Sequence, residues 1–436
     1  VRGLAKRIVG QPAFWILAVA GFQAACLPDF LQTIGSGDTQ DYWNLATAPW
    51  TLKVLTCSRT LAYPLFLKVL GVDENHYAHL AAFQFLIFVG AACALAYALR
   101  ALAVPRALAT AAAIGLLFSG PITTTGRFHR LIMTDSLGIS CAIFAVASLL
   151  GVVARPTRLR WAALGLSTFL AYQVRPVFLF LLAYLPLLGA LLRWRSTPDR
   201  GALRRFLVTC GMVFALPYFA FCAARWALVG DFGLVSFSDV AAIGITSQLL
   251  DDELVGQLSG ETQDYARHLL EQLRQVQAPI GFAIRRWESP LRGRYGLYRS
   301  QLGGQFNLAS WIAIGVAKAM SGDDPVKANH LMSRYSRSVL IHRPIVYLVW
   351  LAKSFFTSLS LVWEQYAFYL PGLILLAALA LEMAGRAIGR WPAPRPMTAA
   401  DRAGMEVIWI TATSFFLADL LTVILVEEPL GRYVYA

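Results

Sequence analysis

Residues 13–34 read AFWILAVAGFQAACLPDFLQTI, with Arg2, Lys6 and Arg7 just before them. A run of that length and apolarity is long enough to cross a bilayer, which takes about 20 residues of helix. Basic residues at one end hold that end in the cytoplasm. The run has the outline of a secretory leader, yet it is long enough to span and further apolar runs follow. It therefore reads as an uncleaved first helix that carries the chain outward.

Apolar residues fill 57% of the 436 positions and charged residues 14%, and the mean hydropathy is +0.57. These values fit an all-α polytopic membrane protein and exclude a large soluble core, because the apolar stretches recur and the charges lie between them. The 38 Lys+Arg against 25 Asp+Glu give a net charge of +13. That excess is mostly Arg in short loops, so it encodes topology and attraction to the lipid bilayer, and no nucleic-acid partner is implied. Of the six cysteines only Cys57 lies in a polar loop, so neither a disulfide framework nor a cysteine metal cluster is expected.

Applied along the chain, the same charge rule gives about nine transmembrane helices. The first outer loop covers 35–76, and within it 61–70, LAYPLFLKVL, is amphipathic in the manner of an interfacial helix. Spans follow over 77–99, 103–118 and 132–153, with 119–131 returning to the outer side. Residues 161–192 are apolar but broken at Arg175-Pro176. Both flanks carry Arg, so this run crosses twice or dips in and returns, which places Arg175 at or near the outer face.

A span over 206–229 then leads to the long hydrophilic block 230–343. Helical pieces are expected there at 264–276 and 326–341, with Gly-rich turns around Gly303-Gly304 and enough aromatic residues to fill a core. The run 344–363 contains Lys353. Counting it as a span would put Arg386, Arg390, Arg395 and Arg402 outside, so it reads as a second interfacial helix. Spans over 366–388 and 405–426 complete the count, and 433–436 reads as the start of another helix. The chain thus divides into a transmembrane module at 1–229, a larger, mainly helical outer-face domain at 230–343, and a C-terminal membrane segment at 344–436.

The first outer loop opens with GDTQDYW at 37–43. Asp38 and Asp41 are three residues apart, so one helical turn brings both carboxylates to the same side. An isolated pair of this kind also suits a solvated turn or cap. The topology adds Arg59, Arg127, His129, Arg130, Asp135, Arg175, Glu427, Glu428 and Arg432 to the same face. Carboxylates that take a proton beside guanidinium groups that take a phosphate suit a lipid-linked anionic substrate.

Asp38, the segment SRTLAYP at 58–64, RLIMTD at 130–135 and EPLGRY at 428–433 together resemble the glycosyltransferase C superfamily, which includes protein O-mannosyltransferases and aminoarabinose transferases. The resemblance covers the layout of the membrane part, and the block 230–343 matches no subfamily. It implies an inverting membrane glycosyltransferase of the bacterial inner membrane with its active site facing the periplasm. The implied donor is a polyprenyl-phosphate-linked sugar and the acceptor a glycan, lipid or protein. Asp38 is then the general base, with Asp41 able to exchange roles with it, and Asp135 matches the second acidic position. Arg59, Arg127, Arg130, Arg175, Glu428 and Arg432 are the substrate-binding candidates.

Plainer roles stand beside these. Asp135 suits a cap of the fourth span, each Arg suits an interface anchor, His129 suits a loop residue, and Asp419 suits a helix-to-helix hydrogen bond. A divalent cation, Mg²⁺ or Mn²⁺, is left open on Asp38, Asp41 and Asp135 if they converge. Two other functions compete. A transporter or flippase of lipid-linked sugars predicts charges at the membrane midplane and repeated halves; only Asp419 and Lys353 stand out in apolar runs, and no repeat is found. An O-antigen ligase or polymerase would use late-loop residues such as Arg285, Arg286, Arg334 and His342.

Overall fold

A computed structural model describes residues 11–26, 29–35, 38–57, 59–123, 129–196, 199–236, 240–276, 295–362 and 398–426. Among the described residues every regular element is helical, and the one β-type contact is an isolated bridge between Ile34 and Leu131. The first part of the chain runs through α1 Pro12–Cys26, α2 Thr39–Thr47, a 3-10 turn Leu52–Thr56, α3 Ala62–Val69, α4 Leu80–Ala101, α5 Arg106–Thr123 and α6 Thr134–Ala154. It continues through α7 Arg158–Val174, a second 3-10 turn Pro176–Phe180, α8 Leu181–Ser196 and α9 Arg200–Val229. Then come α10 Val240–Gln248, α11 Asp252–Gln257, α12 Gly260–Gln275, α13 Tyr295–Met320, α14 Pro325–His342, α15 Pro344–Val362 and α16 Ala399–Val426.

Five of these segments are long and apolar enough to cross a membrane: Leu80–Ala101, Thr134–Ala154, Pro176–Arg195, Arg200–Val229 and Arg402–Thr422. Pro12–Cys26, Arg106–Phe118 and Leu308–Met320 are apolar but shorter. The span expected over 366–388 lies outside the described residues.

Helix α6 sits at the centre of the bundle. Its sequence is rich in Ala, Gly, Ser and Cys, and nearly its whole length is buried against α4 and α7. Small side chains allow that closeness, because helix backbones in a membrane associate by packing and not by exclusion of water. At Gly138 an added Cβ would fall 2.9 Å from the Phe178 ring and 3.2 Å from the Cβ of Arg175. Only glycine lets the 3-10 turn after α7 lie directly on α6.

The break expected at Arg175-Pro176 has its cause in proline. Pro176 has no N–H to continue the helix and disfavours helical geometry in the residue before it. Arg175 is accordingly extended, with φ −144° and ψ 112°, and α7 stops at Val174. Helix α9 ends at Gly230, whose φ of +74° is a left-handed cap that a residue without Cβ adopts freely.

Two sequence expectations are corrected. The run 13–34 is not one helix: α1 stops at Cys26 after 15 residues, and by Asp29, with φ 53°, the chain is in a turn. Pro28 inside the apolar run gives the reason. The turns expected at Gly303-Gly304 do not form, since α13 runs unbroken from Tyr295 to Met320. Two glycines cost a helix about 1 kcal/mol each, and the buried stripe of Ala309, Ala313, Ile314 and Ala317 on the same helix offsets that.

Helices α10 to α14 pack around a second buried cluster of their own, built on Leu254, Tyr265, Leu269, Leu331 and Tyr335. The Tyr265 hydroxyl donates to the Ala313 carbonyl at 2.9 Å and the Tyr335 hydroxyl to the Thr246 carbonyl at 3.2 Å, so both buried phenols are satisfied. Arg343 closes α14, donating to Asp251 at 3.0 Å, and α15 leaves at 95° to α14.

His129 belongs to the packing. It is 1% exposed, packs against the touching rings of Phe30 and Phe85, and donates from Nε2 to the Phe30 carbonyl at 2.6 Å. Burial pushes its pKa down to about 4. Between about pH 6.5, the ordinary value, and about 4 the unfolded chain binds a proton there and the folded chain does not. Stability therefore rises with pH across that window and falls on acidification. The loss attributable to His129 is about 2 kcal/mol between pH 7 and pH 5. Unfolding in detergent at the two pH values measures it, and His129→Gln removes that part of the pH dependence. An equal loss in the variant would assign the titration to another group.

Candidate functional site

The bridge between Ile34 and Leu131 explains how distant segments meet. The Ile34 N–H donates to the Arg130 carbonyl at 2.9 Å, and the Ile132 N–H returns to the Ile34 carbonyl at 3.1 Å. Thr39 adds a hydroxyl bond to the Ile132 carbonyl at 3.4 Å. The start of α2 is thereby pinned to the start of α6. The polar 3-10 loop comes in from a third direction, through Thr60, whose hydroxyl donates to the Val174 carbonyl at 3.1 Å. These bonds bring residues 38–43 (DTQDYW), the loop around Arg59, the first turn of α6 and the end of α7 into one place.

Asp38 and Asp41 lie on the same side of the start of α2, and Arg59 joins them. Its Nη2 is 2.9 Å from Asp38 Oδ1 and 2.9 Å from Asp41 Oδ2, and Nε is 3.3 Å from Asp41 Oδ2. The guanidinium also lies over the Tyr42 ring, 5.1 Å from its centre. Burial alone would lower the pKa of Arg59, but it is outweighed by Tyr42, which acts only at a pH high enough to ionise its phenol, and by the carboxylates of Asp38 and Asp41, so the value is raised. Arg59 is therefore a fixed positive charge shared by two carboxylates.

A second pair lies at the end of α7. Asp135, in the first turn of α6, accepts from Arg175, and both side chains are largely shielded from solvent, at 16% and 10% exposure. The expected cap role of Asp135 is not seen, since Met133 occupies the cap position and no side chain caps α6. Asp419 approaches from α16, 5% exposed and within electrostatic reach of Arg175. Helix α16 is held there by the Tyr184 hydroxyl on α8, which donates to the Thr411 carbonyl at 3.0 Å, and by contact of Phe180 and Tyr184 with Phe415.

Tyr42 links the two pairs. It is 4% exposed, hydrogen-bonds Thr134 beside Asp135, and feels the charges of Arg59, Asp38 and Asp135. Burial raises the pKa of its phenol, and Arg59 only partly opposes this, so it stays a neutral hydrogen-bonding group at physiological pH. Tyr63 packs edge-on against it at 5.0 Å and donates to Gln84 at 3.3 Å.

The remaining sequence candidates divide as follows. Arg130 points elsewhere, donating to the Gln32 carbonyl at 2.9 Å and its side chain at 3.4 Å. Arg334 pairs with Glu261 at 2.6 Å, and His342 bonds within its own helix to Ser338 at 2.7 Å. Arg127, Arg285, Arg286, Glu427, Glu428 and Arg432 lie outside the described residues, as does the side chain of Lys353. Among the described residues no three His, Cys, Asp or Glu side chains come together to hold a metal ion. Between Asp38 and Asp41, where Mg²⁺ or Mn²⁺ would sit, stands the Arg59 guanidinium, so the carboxylates do not fit a divalent cation.

Sequence reading missed Tyr42 and Arg225. Tyr42 sits inside the quoted motif but carries no charge. Arg225 lies in the apolar run 206–229, and a charge inside such a run is the sequence signal that marks it.

Fold and site define the class: a membrane protein, all-helical among the described residues, in which Asp135 and Arg175 stand at the ends of membrane-length segments and Asp38, Asp41 and Arg59 lie on the short α2 and the loop beside them. No family model, curated protein or solved structure matches the chain.

Proposed function

We propose that the protein is an inverting glycosyltransferase of the glycosyltransferase C type, moving a sugar from a polyprenyl-phosphate donor to a hydroxyl acceptor. The observation that carries this reading is the convergence of Asp38, Asp41, Arg59, Asp135 and Arg175, from four separate stretches of sequence, around Tyr42. Asp38 accepts the proton of the acceptor hydroxyl as its oxygen attacks the anomeric carbon. The bond from that carbon to the phosphate oxygen breaks with its electron pair on the phosphate, and the configuration inverts. Arg59 and Arg175 are placed to stabilise the charge that grows on the leaving phosphate, and Asp135 holds Arg175 in position.

In this reading about nine helices span a bacterial inner membrane, α3 and α15 lie in the interface, and the α10 to α14 unit stands on the periplasmic side with the site. Reporters fused after residue 70 or 300 should then register the periplasm, and those after 103, 157 or 200 the cytoplasm. A cytoplasmic signal at 300 would overturn this orientation. The reaction itself is tested with purified protein, labelled polyprenyl-phosphate sugars and a lipid extract. A new glycosidic bond, lost in Asp38→Asn, supports the proposal. Movement of lipid-linked sugar across reconstituted vesicles without bond formation would mark a flippase instead.

A further inference from the structure

Arg225 has no place in that chemistry, yet it heads the large side chains that are fully buried, at 1% exposure. It lies on the last turns of α9. Nε and Nη2 donate to the Leu55 carbonyl at 3.1 and 2.9 Å, and Nη2 donates to Asp231 Oδ2 and to Ser236 Oγ, each at 2.8 Å. Nη1 donates to the Gly233 carbonyl. Ser236 in turn donates to Asp231 at 2.7 Å, and His330 Nε2 on α14 lies 3.9 Å from the other Asp231 oxygen. A guanidinium is tolerated in such a place only when its charge is paired and its N–H groups are used, and both conditions hold here.

The partners show what this arrangement connects. Leu55 is in the 3-10 turn Leu52–Thr56, four residues before Arg59. Asp231, Gly233 and Ser236 belong to the strap that leaves α9 toward α10, and His330 is on the second core's own helix. One side chain thus joins the end of the bundle, the loop that carries Arg59, and the strap that leads toward α10, with α14 close by at His330.

The geometry points to Arg225 as a positioning residue for the carboxylate site: by holding Leu55 it sets where Arg59 stands, and through Asp231, Gly233 and Ser236 it ties that setting to the strap that leads toward α10. The consequence for sugar transfer rests on the function proposed above, whereas the position of the loop can be read without it. Cys57, half-buried between Leu55 and Arg59, is a native reporter, and its burial raises the thiol pKa and slows its reaction. Cys141 and Cys210, buried in α6 and α9, gauge the rest of the fold.

The experiment treats the full-length protein in detergent with a charged maleimide, well below its unfolding temperature, and reads each cysteine by mass spectrometry. Arg225→Lys keeps the charge but loses the fork that reaches Leu55 and Asp231 together. It should speed Cys57 labelling about ten- to a hundredfold, as expected for losing charge-assisted hydrogen bonds, and leave Cys141 and Cys210 unchanged. Asp231→Asn should act in the same direction with smaller size, and it serves as the test if Arg225→Lys does not fold. An unchanged Cys57 rate overturns the inference, as does a parallel rise at Cys141 and Cys210, which would mean general loosening. If Cys57 responds as expected but the wild type transfers no sugar, the positioning role stands and the proposed function fails.

Discussion

Replacing Asp38 by Asn should reduce turnover by about 10²- to 10⁴-fold, the contribution typical of a positioned general base, with little change in KM. The amide keeps the shape of the side chain and can still accept the 2.9 Å bond from Arg59, so the loop stays in place while the proton acceptor is lost. A turnover effect without a KM effect is the mark of an interaction made in the transition state. Asp41→Asn should be milder. Asp41 is the more exposed of the two, at 53% against 29%, and it accepts two of the three hydrogen bonds that Arg59 gives the pair, as a residue that steadies Arg59 would. If the severities are reversed, Asp41 is the base. If both variants transfer sugar at the wild-type rate, the pair only anchors Arg59 and the proposed chemistry loses its proton acceptor.

The site was partly legible in the sequence, for reasons that differ residue by residue. Spacing alone placed Asp38 and Asp41 on one side, because helical geometry is local. That Arg59 would close on both could not be read, since it is 18 residues from Asp41 and the join depends on how the 3-10 loop packs. The Arg175-Pro176 break was legible because proline acts on its immediate neighbours. The union of Arg175 with Asp135 spans 40 positions and forms only when α6 and α7 pack around Gly138. In the fold, apolar length located α4, α6 and α9. The same signal overran α1, because apolarity continues past Pro28 while helix formation does not. Gly303-Gly304 shows the opposite case, since two glycines disfavour a helix by propensity while the buried alanine face that follows them holds it together.

Loss of Asp135 should be the most damaging change to stability among the site residues. Asp135→Ala removes the carboxylate paired with the Arg175 guanidinium, in a residue that is only 8% exposed, and leaves Asp419 within its electrostatic reach. Breaking a buried pair from one side costs about 3–5 kcal/mol, and thermal unfolding in detergent should show a loss of that order. The double variant Asp135→Leu with Arg175→Met removes both charges and fills the space with apolar atoms, so it should recover much of the lost stability. The two variants together separate support from chemistry. If Arg175 merely braces the break after α7, the double variant regains sugar transfer along with stability. If Arg175 also meets the departing phosphate, the double variant regains stability and stays inactive, while Arg175→Lys retains part of the rate because it keeps the charge without the bidentate fork. An Asp135→Ala protein that unfolds at the wild-type temperature would show that the pair contributes nothing and that α6 and α7 are joined by packing alone.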